Sequence, residues 1–299
     1  MSVDTRTKDS GRSLKDKVIP LILAIAGIAA LLYPVVATYL YNAGQSAVVD
    51  AYRNSQSEVS VEDRSQWIER AHAYNAVNAG APILDPWLSR VAKDNRPYQN
   101  YVEELNPSGD EDAVMAAISI PAIDVKLPIY HGTEDDTLHK GVGHLYGSAL
   151  PVGGENTHSI LTGHTGLTTA TMFDELDQVV LGDAIYIEVM GEALKYEVDQ
   201  IEVVLPEETS DVQPIMGQDH LTLITCTPYG INSHRLLVRG VRVPMDPEES
   251  IDEVFENSSL WQPWMTWVLI GVVAVLLIIA WLILRERRKN QKVGAHRAA

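Results

Sequence analysis

The chain has 299 residues, with 40 acidic and 23 basic side chains and a formal charge of −17. So acidic a chain lacks the basic footprint that phosphate binding needs, which excludes nucleic acid as a partner. A single cysteine excludes an internal disulfide framework, and 46% hydrophobic residues suffice for one sizeable core with apolar segments to spare.

Residues 1–17 form a basic tail containing Arg6, Lys8, Arg12, Lys15 and Lys17. Val18 to Leu40 then carries no charged side chain. A helix needs about 20 apolar residues to cross the hydrocarbon core, so 18–40 predicts a transmembrane helix. The alternatives are a buried core helix or a cleaved signal peptide, but the run is long for a signal and lacks a clear cleavage site. A second uncharged run, Leu260 to Leu284, predicts a second span over 260–284. The tail 285–299 follows, with Arg285, Arg287, Arg288, Lys289 and Lys292. Basic flanks stay cytoplasmic, so both termini are expected inside and residues 41–259 outside. Trp261, Trp264 and Trp267 suit an aromatic belt at the outer edge. Between the runs stand 12 of the basic and 36 of the acidic residues, a charge of about −24. That surface disfavours lying flat on anionic lipid.

Residues 41–115 read as a helical stem followed by a looser segment. Val48, Val49, Tyr52, Trp67, Ile68, Ala71 and Tyr74 recur at helical spacing, predicting helix over Asn42 to Asn78. Ala79 to Asn95 is loop-like and contains Asp85-Pro86-Trp87. Composition alone favours a helix start there, with Asp as cap and Pro at the first helical position.

From Ala116 the pattern turns to short β runs with turn punctuation. Strands are predicted at Ala116 to Ile120, Val125 to Tyr130, Ser159 to Gly163, Ala184 to Val189, Leu194 to Leu205, Leu221 to Thr225 and Leu236 to Val243. Pro128 makes the second of these an expected edge strand or irregular start. Thr169 to Leu176 reads as a short helix, and Met190-Gly191-Glu192 as a hairpin turn. Many short strands indicate a mainly β fold, a barrel or a sandwich, over 116–245. Residues 246–259 are a linker.

Cys226 ends a strand and is followed by Thr227-Pro228-Tyr229-Gly230, which puts a thiol at a sheet rim. Rims are where rigid strands present reactive groups to substrate, although a lone Cys is also a common small hydrophobe. A thiolate nucleophile needs a base or cation nearby. Of nine His, His164 stands out between Gly163 and Gly166, with His131, His144 and His234 as other candidates. Arg235 lies nine positions after Cys226; if the two flanking strands are antiparallel neighbours, the pair face each other across the rim. A guanidinium there suits an oxyanion or a substrate backbone, or simply a surface carboxylate. No His, Cys or carboxylate spacing predicts a metal site, and Glu134-Asp135-Asp136 reads as a solvated turn.

Thr222-Leu223-Ile224-Thr225-Cys226 resembles the Thr-Leu-x-Thr-Cys signature of sortases. Thr162-Gly163-His164 is similar to the segment around their catalytic His, and Asn232-Ser233-His234-Arg235-Leu236 to that around their catalytic Arg. Cys226 to Asn232, Gly141 to Leu145 and Leu150 to Asn156 resemble the pilus-assembling class C. Thr165 departs from that class, whose members often carry Arg after the His. The resemblance implies a closed sortase-type barrel of about eight strands with short helices, preceded by the helical stem and flanked by the two spans. It implies cleavage of a Leu-Pro-x-Thr-Gly-like signal between Thr and Gly, with Cys226 as nucleophile, His164 as general acid/base and Arg235 stabilising the oxyanion or substrate. Leu223, Thr225 and Thr165 are then expected at the substrate wall, and Asp85, Pro86 and Trp87 in a lid over the cleft. Implied partners are pilins or surface proteins bearing sorting signals, an acceptor Lys amine on another pilin, and the bilayer; no cofactor is implied. The alternatives are a sortase that attaches proteins to a cell-wall precursor, and a non-catalytic membrane-tethered binding domain.

Overall fold

The structure, a computed structural model, describes residues 14–78, 96–206, 208 and 213–298. The chain divides into two units, residues 1–37 with 261–299, and residues 38–260. Helix α1 (Leu14–Glu58) contributes residues to both.

In the first unit, the apolar part of α1 and helix α6 (Pro263–Ala298) carry the two predicted spans. Both are long and apolar enough to cross a membrane, and only 6% of each apolar window is buried. Leu21, Leu23, Leu277 and Ile278 are exposed. Long apolar helices that bury so little are not core helices, and they fit a lipid surrounding.

The second unit is built on a closed eight-stranded barrel, which bears out the predicted fold class. Its strands are β1 (Val114–Ile120), β2 (Val125–His131), β3 (Val142–His144), β4 (Thr157–Thr162), β5 (Ala184–Val189), β6 (Glu192–Val204), β7 (Asp219–Thr227) and β8 (His234–Val243). They close in the order β1-β2-β3-β4-β7-β8-β6-β5. Most neighbours are antiparallel, but β2 with β3 and β4 with β7 are parallel. Alternation along β7 sends Leu221 and Leu223 into the main core with Ile118, Ile129, Leu161 and Val238. Ile224, on the opposite face, joins a smaller cluster with Leu145, Ile160, Val204 and Leu237.

The predicted stem is helical but interrupted: α1 ends at Glu58 and α2 (Val61–Asn78) begins after Ser60. The Ser60 hydroxyl accepts from the Asp63 N–H at 3.1 Å, capping the new helix. These helices are part of the domain and do not stand apart from it. Ile68 and Ala71 of α2, with Tyr98 and Tyr101 of α3 (Arg96–Glu103), enter the barrel core cluster. Asn75 clamps Leu150 through both its backbone groups, at 2.7 and 3.1 Å. Near the end of α1, Val49 and Tyr52 pack with Ala117, Tyr186 and Phe255, the last from α5 (Ile251–Glu256).

Two expectations are corrected. β2 is not an edge strand, since it pairs with β1 on one side and β3 on the other. Pairing to β3 starts at Ile129, so Pro128, which has no N–H, falls just outside that ladder. Thr169 to Leu176 is not a helix but a run of turns leading to a 3-10 turn at Leu176–Gln178. Met172 has φ of +44°, which no right-handed helix accommodates. Asp85, Pro86 and Trp87 lie outside the described residues, as does all of 79–95.

Candidate active site

The β7–β8 hairpin fixes two of the candidate residues relative to each other. Its ladder runs from His220↔Val241 to Thr227↔His234, and Cys226 pairs directly with Arg235. Direct partners in an antiparallel pair put their side chains on one face. For Cys226 that is the face of Ile224, outside the barrel core. Cys226 is half-buried and forms no disulfide. The connecting loop is tight, with the Ile231 and Asn232 N–H groups both donating to Pro228 O at 3.0 Å. Gly230 and Asn232 have positive φ. The Arg235 guanidinium donates from one nitrogen to Asn232 O at 3.3 Å and His234 O at 3.2 Å, so the loop it leaves also orients it.

His164 comes from the other side of β7. β4 and β7 are parallel, with Thr162 opposite Ile224. The alignment continues past the end of β4: the Gly163 N–H donates to Ile224 O at 3.1 Å and the Thr225 hydroxyl to Gly163 O at 2.8 Å. The next step brings His164 level with Cys226. His164, Cys226 and Arg235 therefore stand in a row across three adjacent strands at one rim. The turn after His164 is held from below. Phe173 N–H donates to His164 O at 3.1 Å, and the Asp174 carboxylate accepts from Gly166 N–H at 2.7 Å and the Thr165 hydroxyl at 3.1 Å. A Cβ on Gly166 would lie 4.0 Å from Tyr229 and Gly230, so the His-side and Cys-side loops approach each other. Tyr229 and Ile231 expose apolar surface on that second loop.

Burial pushes the His164 pKa down, with the neighbouring His139 acting in the same direction and Asp135 opposing. Its Nε2 lies 3.6 Å from an Asp135 carboxylate oxygen. Burial also pushes Asp174 up, to about 6, against the pull of its two donors.

The other His candidates do other things. His131 and His144 are buried. His131 Nε2 contacts Glu104 O at 2.8 Å, while His144 is spanned by Tyr101 OH at Nδ1 and Ala149 O at Nε2. His234 faces Thr227, beside Ser233. Leu223 is 0% exposed in the barrel core and Thr225 is 2% exposed with its hydroxyl on Gly163 O, so neither lines a substrate wall. Both face inward, as odd positions of β7 do, behind the strand that carries Cys226. Thr165 does sit at the surface turn beside His164, tied to Asp174.

Asp174 and His139 escaped the sequence reading, and Asp135, read there as part of a solvated turn, instead opens a short helix and approaches His164. Asp135 and His139 are spaced as neighbours on a helical turn, which was visible, but their meeting with His164 is a tertiary event.

A family model for the sortase domain matches residues 118–243. Sortase A of Corynebacterium diphtheriae is 53% identical over 70% of this chain and 94% of that one, with a TM-score of 0.63; a lid mutant of it is similar at 54% identity and 0.60. Sortase C-1 of Actinomyces oris is 56% identical over 61% of this chain and 99% of that one, with a TM-score of 0.57. A sortase C of Streptococcus pneumoniae, described with respect to pilin substrate specificity, is 41% identical over 67% and 97%, with a TM-score of 0.59. The chain spans between 47% and 64% of the length of the curated sortases it matches, at 27% to 32% identity.

Proposed function

The chain belongs to the sortase family, and on that premise we propose that it is a membrane-anchored cysteine transpeptidase that polymerises pilins. What carries this reading is the register that brings His164, just past the end of β4, level with Cys226 on β7, which pairs with Arg235 on β8. An acyl transfer needs a nucleophile, a proton carrier and a cation for the oxyanion, and these three supply them.

The Cys226 thiol passes its proton to the neutral His164 as its sulfur attacks the Thr carbonyl of a Leu-Pro-x-Thr-Gly-like signal. The carbonyl oxygen takes the negative charge and Arg235 receives it. The Thr–Gly bond breaks, His164 gives a proton to the departing Gly amine, and a thioester remains on Cys226. A Lys amine of the next pilin then attacks the thioester, losing its proton to His164, and the product is an isopeptide bond. Splitting the transfer in two lowers each barrier. The depressed pKa of His164 favours the neutral ring at neutral pH, the form able to take the Cys226 proton.

The pilin substrate and Lys acceptor are supported by the likeness to sortase C chains, one of them described for pilin substrate specificity. Thr165, at the turn after His164, is the residue we assign to the His-side substrate wall. Both apolar helices fit anchoring in the bilayer, and the basic flanks support cytoplasmic termini with the barrel outside. The lid reading for Asp85, Pro86 and Trp87 rests on the motif and on the likeness to a sortase for which a lid mutant exists.

The test is to incubate the full chain in detergent with a Leu-Pro-x-Thr-Gly peptide and examine Cys226 by mass spectrometry. An acyl adduct on Cys226 that a pilin Lys peptide releases as an isopeptide supports the reading. No adduct in either the wild type or an Asp85→Ala, Trp87→Ala chain overturns it. Release by a wall-precursor amine alone would move the assignment to wall attachment. Equal rates of Cys226 modification by a small thiol reagent with and without the two lid substitutions would dismiss the lid.

A further inference from the structure

We propose that Asp135, His139 and His164 form a binding site for zinc, and that an occupied site switches the enzyme off. The second half rests on the transpeptidase reading; the first does not.

One donor atom from each of the three residues lies within 4.8 Å of the others. Asp135 opens the short helix α4 (Asp135–Leu138), between β2 and β3, and His139 caps its end. The His139 N–H donates to Asp135 O at 3.0 Å, one turn of helix, so the two side chains share a face. His139 Nδ1 meets the same carbonyl at 2.8 Å. The same nitrogen lies 3.7 Å from an Asp135 carboxylate oxygen, so the His139 ring is held against the carboxylate with which it would share an ion. His164 arrives from the end of β4, its ring centroid 5.1 Å from that of His139 at 74°. Its Nε2 stands 3.6 Å from Asp135 Oδ1. Ligands of a four-coordinate zinc, each about 2.0–2.1 Å from the ion, lie about 3.3 Å apart. Closing the site therefore takes approaches of a few tenths of an ångström to about 1.5 Å, and Asp135 and His139 are exposed enough to make them.

The donor set selects the ion. Two imidazoles and one carboxylate suit zinc with water as the fourth ligand. Calcium and magnesium ask for oxygen donors and find a single carboxylate. Exposed ligands on a short helix, facing one ligand on a braced strand end, describe a site that loads from solvent and empties again. Binding adds no covalent step: the zinc–nitrogen bond uses the lone pair that His164 would use for a proton. A zinc-bound His164 neither accepts the Lys proton nor protonates the leaving amine.

Cys226 is the competing zinc ligand, and the experiment separates the two. Untagged full-length protein in detergent is titrated with zinc chloride by calorimetry, with calcium and magnesium chloride in parallel. The same is done for Cys226→Ala, His139→Gln and Asp135→Asn. The expected result is one zinc per chain in both the wild type and Cys226→Ala. His139→Gln and Asp135→Asn should each weaken zinc by roughly tenfold or more, since loss of even an outer partner costs that much. Calcium and magnesium should give no comparable heat. In the peptide assay, the ratio of rates with and without zinc should rise towards one in His139→Gln. Unchanged zinc affinity in His139→Gln, or loss of binding in Cys226→Ala, overturns the site. Because calorimetry needs no turnover, zinc binding by an inactive chain would refute the transpeptidase reading and keep the site.

Discussion

Cys226 and Arg235 are set by one hairpin, with a short loop and a direct pair in an unbroken ladder. His164 is set by several distant segments: β7 through Ile224 and Thr225, the turn at Phe173 and Asp174, and α4 through Asp135. Cys226 and Arg235 thus form a local unit that persists wherever the hairpin persists. The imidazole depends on packing gathered from across the domain. Loss of a rim side chain on the hairpin should remove chemistry without unfolding, whereas damage around His164 should change stability and chemistry together.

The largest expected effect breaks the hairpin side. Arg235→Ala should lower the rate of thioester formation by about 100- to 1,000-fold, the usual loss for an oxyanion donor. Its thermal midpoint should stay near that of the wild type, because the Asn232 and His234 carbonyls that the guanidinium meets lie at the rim, where water can replace it. A rate within about threefold of wild type would remove Arg235 from the site. Next comes Gly163→Ala. The new methyl would sit 2.5 Å from the Phe173 ring, which is 1% exposed and has nowhere to go. Overpacking of this kind costs about 1–3 kcal/mol. The urea midpoint and peptide cleavage should fall together; a loss of only one would mean that the two sides are not distinct in this way.

Acid should weaken the same side of the barrel. His131 and His144 are buried on β2 and β3, and His158 on β4. Burial holds their pKa values at about 4, 3 and 4. His144 faces Tyr101, Ser148 and His131, and His158 faces Thr222, His220, Arg239 and Asp199. Their folded pKa values are depressed, so the unfolded chain takes up protons first, below about 6.5. Their contribution is complete above that pH and is lost as the pH falls towards 4. Urea midpoints measured from pH 7.5 to 4.5 should decline steadily, and a flat profile would refute the assignment. The smallest effect is expected at Asp174. Asp174→Asn keeps an oxygen acceptor for Gly166 and should cost about threefold in cleavage; Asp174→Ala strands that N–H and should cost about tenfold. Equal losses would mean that charge, not the acceptor, holds the turn.

The hairpin side was readable in sequence for the same reason that it is local. Nine positions from Cys226 to Arg235, with Pro and Gly between, define a two-strand register by counting. The turn at Met190-Gly191, both at positive φ, was readable likewise. On the His side, Thr162-Gly163-His164 could be singled out but not its supports. Thr169 to Leu176 has helix-like apolar spacing, yet Asp174 is drawn to Gly166 and Met172 turns left-handed. Pro128 signals an edge only when the partner beyond it is unknown; β3 simply begins one residue later. Periodicity spoke for Leu223 and Thr225 as strand residues, but which face of β7 pointed inward became clear only with the barrel closed.

The parallel ladder between β4 and β7 joins stretches of chain about sixty residues apart, as in the Thr225–Gly163 bond with its separation of 62. Such a joint forms only after a large loop has been closed, against its entropy. Until it forms, the sulfur of Cys226 and the imidazole of His164 belong to remote stretches of a loose chain. Their meeting is the last act of the wall that holds them, so whatever the pair can do together waits on a finished barrel.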